Sequence, residues 1–195
     1  MDGFQRRREK KKEDILEAAT NLFMADGIQN VSISEIAKEA NVSQVTIYNY
    51  FESKQNLILE VFNYYIDKSV RDFEEIIHDT IPFPDKIKQI IFRKKETAQQ
   101  INEEFYEYIM QDFSAAGNYM ENKYLEKALP HFTDFFQQGK EQGYINPNLS
   151  MEAILFYIQM ISHYFQKKDF HADVLPLTDE LTNIFFYGIV GKRDE

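Results

Sequence analysis

The 195-residue chain contains no cysteine and no tryptophan. Without thiols there is no disulfide, no cysteine nucleophile and no cysteine-based zinc site, an absence that fits a cytoplasmic protein. Seven glycines and five prolines leave little room for long loops. No apolar run approaches the roughly 18 residues that a membrane-spanning helix needs, and no hydrophobic segment follows the basic N-terminus as it would in a secretory signal. Glycine-rich phosphate loops and nucleophile elbows are missing too. The four histidines, His78, His131, His163 and His171, are scattered, with no H-x-x-x-H or H-x-x-E spacing. The sequence therefore predicts no enzyme, no metal and no cofactor.

What is present is ordinary for a globular protein: 44% hydrophobic and 28% charged residues. The net charge of −10 is unevenly spread. Residues 5–12, QRRREKKK, hold six basic residues and one acidic one, whereas from residue 61 onward 14 basic face 22 acidic residues. Such a chain is repelled by DNA as a whole, so any phosphate contact must be local and sensitive to salt. Alone, the basic run reads as a solvated, partly disordered tail; beside a DNA reader it reads as an arm along the phosphate backbone.

Ile15, Ala18, Ala19, Leu22 and Phe23 recur at i, i+3, i+4, i+7 and i+8, the stripe of an amphipathic helix. Gly27 stops it in a position suited to a left-handed conformation. Ser32 followed by Glu35 is a capping box that opens a short second helix burying Ile33, Ile36, Ala37 and Ala40. Asn41 tolerates a left-handed turn, and Ser43 caps a third helix. Residues 33–50 thus read as helix, tight turn, helix.

The stretch NVSQVTIYNYF, residues 41–51, has no charged side chain. With Ile47 and Phe51 pointing inward, Val45 and Asn49 point away, Thr46 and Tyr48 flank them, and Gln44 leads. That outward face is short, uncharged and rich in donors and acceptors, which suits a helix lying in the major groove. Ser53 caps a fourth helix whose apolar positions (Leu57, Ile58, Val61, Phe62, Tyr65, Ile66, Val70, Phe73 and Ile77) span about six turns. Lys54 lies in its first turn, where the helix dipole favours an anion, so a phosphate there would give the lysine a purpose. After the break TIPFPDK (80–86), five more helices are expected at about 84–97, 99–113, 118–142, 150–168 and 178–190. No strand pattern persists, so the fold class is all-α.

The stretch ILEAATNLFMADGIQNVSISEIAKEANVSQVTIYNYFESKQNLILEVF, about residues 10–62, resembles the TetR family of bacterial transcriptional regulators. Three pieces carry the resemblance: a helix ending in Gly before VSISEIA, the recognition helix around TIYNYF, and F-x-S-K-x-x-L leading into the fourth helix. The resemblance implies a three-helix helix-turn-helix DNA-binding domain over residues 1–52, joined by the long fourth helix to a helical ligand-binding and dimerisation domain over residues 53–195. It implies a homodimer on a palindromic operator of double-stranded DNA. Gln44, Val45, Thr46, Tyr48 and Asn49 would then meet bases or phosphates, and Tyr50, Lys54 and Ser32 phosphates. No Arg or Lys on the third helix grips guanine, so base specificity is not legible.

In this family the C-terminal helices hold a small-molecule pocket and the dimer interface. Phe105, Tyr106, Ile109, Met110, Phe113, Phe156, Tyr157, Met160, His163 and Tyr164 are candidate ligand contacts, because aromatic and Met side chains suit an apolar or aromatic effector; at helical spacing they also read as core. MEAILFYIQMISHYF and ELTNIFFYGIV are apolar around much of their circumference, which points to a four-helix interface between two subunits. A ligand favouring one spacing of the two recognition helices would release the operator, and the resemblance implies that the bound protein is a repressor. The alternative is a helix-turn-helix adaptor that binds a protein partner instead of DNA.

Overall fold

The computed structural model describes residues 3–115, 119–165 and 175–189, apart from the side chains of 110–125, 162–165, 175 and 189. Its elements are α1 (Gly3–Asp26), α2 (Ile33–Glu39), α3 (Gln44–Phe51), α4 (Lys54–His78), α5 (Phe83–Gln100), α6 (Glu103–Ala115), α7 (Tyr119–Glu141), α8 (Met151–Phe165), a 3-10 turn (Leu175–Leu177) and α9 (Thr178–Ile189). No strand occurs among the described residues, and none of these helices is long and apolar enough to cross a membrane. The fold is an N-terminal helix-turn-helix domain followed by a C-terminal helical domain.

The helix boundaries follow from caps that the sequence contains. Ser32 accepts from the Glu35 amide while the Glu35 carboxylate accepts from the Ser32 amide and hydroxyl, both at 2.7 Å, which completes the capping box of α2. Ser43 accepts from the Thr46 amide at 3.1 Å, Ser53 from Asn56 and Ser150 from Ala153 at the same distance. Asn41 at φ 51° and Gly27 at φ 85° take the left-handed conformations that end α2 and α1.

The chain divides into two compact units: residues 1–68 with 101–109, and residues 69–100 with 110–195. This differs from a division at residue 52, because α4 and α6 each contribute to both units. In the first unit Phe105 of α6 stacks on Phe62 of α4 at 5.5 Å and meets Tyr65 edge-on at 5.8 Å. Tyr108 stacks on Phe62 from the same helix at 5.0 Å. The start of α6 therefore packs against α4 within the first unit. Ile15, Ala19, Phe23, Ile36, Ile47, Leu57 and Val61 of the same unit are all but closed to solvent.

The second unit has its own core of Ile76, Ile77, Phe83, Ile87, Ile90, Phe135, Phe136, Ile145, Ile154 and Phe186. Phe83 and Phe135 lie 4.8 Å apart at its centre. Lys86 is buried against this core, its ammonium donating to the Ile77 carbonyl at 2.5 Å and to Gln138 Oε1 at 2.9 Å. Ile77 is in the last turn of α4, where unsatisfied carbonyls concentrate negative partial charge, so among the described residues neutral oxygens and the helix end complement the buried ammonium.

Candidate nucleic-acid interface

Helix α3 is held by two side chains and displays the rest. Ile47 and Phe51 are 1% and 3% exposed, whereas Val45 and Tyr48 are 67% and 46% exposed. Gln44 and Asn49 are open to solvent as well, and Thr46 and Tyr50 are half-buried. Hydrophobic burial therefore fixes the rotation of α3 about its axis, and every outward residue named from sequence faces out or sits at the flank. The Thr46 hydroxyl lies 2.8 Å from that of Ser43, which leaves its methyl and at least one lone pair for an incoming group.

The basic run is not a loose tail. α1 extends back to Gly3, so residues 5–12 are helical, and one face of that extension flanks the recognition helix. Phe4, Arg7, Arg8 and Lys11 from α1 and Thr46, Asn49 and Tyr50 from α3 line an open groove of about 450 Å³. Tyr50 Oη donates to the Arg8 carbonyl at 3.1 Å, and the Arg8 guanidinium lies 5.8 Å from the Tyr50 ring centroid. Lys12 takes a different role: it pairs with Glu60 at 2.7 Å and sits 5.9 Å from the Phe51 ring centroid, fastening α1 to α4 and α3. Lys10 pairs with Asp14 along α1 at 3.2 Å, which raises its already high pKa, through the hydrogen bond first and charge second.

Arg7, Arg8 and Lys11 were not singled out from sequence. The signal that could have found them is the helical stripe continued backwards, since Phe4, Arg8, Lys11 and Ile15 succeed one another at four, three and four residues. The run's high charge hid that period.

Two residues expected at phosphates have structural partners of their own. Lys54 donates to the Ile28 carbonyl at 2.8 Å and the Val31 carbonyl at 2.6 Å, bracing the α1–α2 connection. An ammonium has three donors, so one remains. The Ser32 hydroxyl is engaged with Glu35, whose carboxyl is held below its ordinary pKa chiefly by that hydroxyl and then by the Ser32 amide. Ser32 is exposed and Lys54 is half-buried.

The candidate effector residues fall in different places. Phe105 and Ile109 are buried, and Tyr106 is half-buried with its hydroxyl pKa pushed up by burial; all three belong to the first unit. Phe156, Tyr157 and Met160 belong to the second and are exposed on α8, at 69%, 37% and 52%. The side chains of Met110, Phe113, His163 and Tyr164 lie outside the described residues. At its start α6 touches the α1–α2 connection. The Asn102 amide donates to the Met24 carbonyl at 2.6 Å, and the Glu104 carboxylate accepts from the Gln29 amide at 3.2 Å.

Residues 15–61 match the family model described as bacterial regulatory proteins, tetR family. The uncharacterized HTH-type transcriptional regulator YuxN of Bacillus subtilis is 27% identical over 177 residues, which cover 90% of this chain and 53% of that protein. The chain thus spans about half the length of the first curated relative it matches. YdgC of the same organism, also an uncharacterized HTH-type transcriptional regulator, is 24% identical over 192 residues, 94% of this chain and 95% of its own. Among solved structures, the regulator FadR of Bacillus subtilis in complex with stearoyl-CoA superposes with a TM-score of 0.55 at 19% identity, covering 91% of this chain and 98% of that one.

Proposed function

The chain belongs to the TetR family of transcriptional regulators, proteins that are not enzymes, and on that premise we propose that it represses transcription by binding a palindromic operator as a homodimer that a small molecule releases. The observation that carries the reading is the pairing of surfaces at the reader. An uncharged helix face of exposed Gln44, Val45, Tyr48 and Asn49, with half-buried Thr46 at its flank, lies beside Arg7, Arg8 and Lys11 on a second helix. Uncharged donors, acceptors and methyls read base edges, while cations take phosphates. On this reading Tyr50, Ser32 and the remaining donor of Lys54 add phosphate contacts at the rim.

The homodimer rests on the last two described helices. Phe156 and Met160 on α8, one turn apart, are exposed at 69% and 52%, and Ile184 and Tyr187 on α9 at 61% and 65%. A second copy presenting the same two helices would cover these stripes in a four-helix interface. Sedimentation of the purified chain at twice the monomer mass supports it, and a monomer at micromolar concentration overturns it.

The effector is an apolar or aromatic molecule. Support comes from the aromatic residues around the start of α6 and from FadR, whose structure holds stearoyl-CoA. Release needs only a few kcal/mol of differential affinity between the DNA-competent and the other state. Long-chain acyl thioesters are the first probes to try against a bound duplex.

The experiment that tests the function is selection from a random duplex pool, followed by salt titration of the enriched sequences. A recovered palindrome, bound with a steep salt dependence and lost in Tyr48→Ala, is the expected result. No enrichment at low salt from a folded dimer overturns it and leaves a helix-turn-helix adaptor, whose binding to a protein partner would tolerate salt.

A further inference from the structure

Glu74, His78 and His131 converge in the second unit. One ligand-capable atom from each lies within 4.8 Å of the other two. Glu74 and His78 are four residues apart on α4 and so share a helix face. His131 comes from α7, and its ring stands edge-on to that of His78, with centroids 6.3 Å apart at an interplanar angle of 80°. Among the described residues, no hydrogen bond or ion pair commits any of these three side chains elsewhere. The histidines look scattered in the sequence because 53 positions separate the second from the first, and only packing of α7 against α4 brings them together.

We propose that Glu74, His78 and His131 form a binding site for a divalent transition cation of the zinc class, which ties the C-terminal turn of α4 to α7. Two imidazoles and one carboxylate are the donor set of zinc and its neighbours, and alkaline-earth ions prefer sites made wholly of oxygen. Bonds of about 2.1 Å place tetrahedral ligand atoms roughly 3.4 Å apart, a closure that side-chain torsions supply from the observed spacing. Glu74 and His131 are half-buried and His78 is exposed, so water can complete the coordination from the open side. The position also favours a cation electrostatically: His78 ends α4, where helix carbonyls carry negative partial charge. Metal there is independent of the operator reading, because the site holds no residue of the DNA interface.

The test uses the full chain, freed of metal by a chelator and dialysed. Titration with Zn²⁺ in a calorimeter is expected to show saturable binding that raises the thermal unfolding temperature. With Co²⁺ as the probe, visible ligand-field bands should appear. His78→Gln and His131→Gln should each weaken binding by more than about 100-fold, beyond what loss of a supporting outer-shell partner does, and abolish the Co²⁺ bands. Glu74→Gln should weaken binding by at least about tenfold on the same scale. Far-UV circular dichroism of the metal-free variants checks that they fold, as expected for replacements at partly exposed positions. Absence of saturable Zn²⁺ binding overturns the proposal. So does undiminished binding in His131→Gln, which would put the metal on other groups.

Discussion

Tyr50 is tied to Arg8 twice, by a hydrogen bond from its hydroxyl to the Arg8 carbonyl at 3.1 Å and by the Arg8 guanidinium 5.8 Å from its ring centroid. A residue of α3 thereby holds the basic extension of α1 alongside it, although the two are 42 positions apart in sequence. Tyr50→Phe removes the hydrogen bond and keeps the ring. One neutral hydrogen bond contributes about 0.5–1.5 kcal/mol, so affinity for a selected duplex should fall roughly 2- to 10-fold with helicity unchanged. Fluorescence anisotropy at fixed salt measures it, and an unaltered affinity would show that the tether does not serve DNA binding.

Arg7 and Lys11 line the groove beside α3, and Asn49 stands on α3 itself. Replacing both cations by Ala should reduce the slope of log K against log salt by about 1.8, at about 0.9 per phosphate contact. Asn49→Ala should leave that slope intact and relax the sequence preference instead. Salt titrations of the two variants on one duplex separate positioning from reading.

Lys54 donates to Ile28 and Val31. Lys54→Met keeps the stem and removes the ammonium, leaving two loop carbonyls without a charged donor. The loss should be about 1–3 kcal/mol of unfolding free energy, read by urea denaturation. If stability is unchanged and only the salt slope of DNA binding falls, the lysine serves phosphate alone.

The Glu35 carboxyl sits below its ordinary pKa of 4.5 because the Ser32 hydroxyl and then the Ser32 amide bond to the charged form, while the charge of Lys54 adds little. A depressed folded-state pKa contributes stability that is present above the unfolded value and lost as pH falls through the folded one. Glu35→Gln abolishes this titration. Its thermal unfolding temperature should therefore decline less steeply than the parent's below about pH 4.5. Parallel acid branches would show that the capping box does not report its charge in stability.

Gly139 packs where a Cβ would lie 2.5 Å from Ile145 Cδ1 and 2.5 Å from the Phe83 ring. Phe83 is fully buried and cannot give way, so Gly139→Ala should destabilise by about 1–3 kcal/mol. Gly188 in α9 faces open space. Gly188→Ala should gain up to about 1 kcal/mol from helix propensity in the same denaturation experiment, unless a second subunit occupies that space.

Local chemistry made much of the reader legible. Ser32, Glu35, Asn41 and Ser43 act through neighbours three or four residues away, and such interactions can be read from spacing alone. The inward turn of Ile47 and Phe51, and with it the outward face of α3, follows from a period of 3.6 residues. The helix order beyond residue 83 was legible for the same reason. What spacing did not reveal is any feature made by residues distant in the chain. By spacing Lys54 is a first-turn cation suited to a phosphate, and its tie to Ile28 and Val31 needs the docking of α4 against the α1–α2 connection.

The sequence by itself determined the helices, their caps, the uncharged face of α3 and the acidic balance of the chain, because each depends on short-range periodicity, hydrogen bonding or composition. Tertiary structure alone decided that Phe105 of α6 joins the core of the first unit, that Arg7, Arg8 and Lys11 share a groove with Thr46 and Asn49, and that His131 meets Glu74 and His78. Those neighbours are set by how apolar stripes from separate helices find burial against one another, and burial constrains which faces meet without leaving a mark at any one position of the chain.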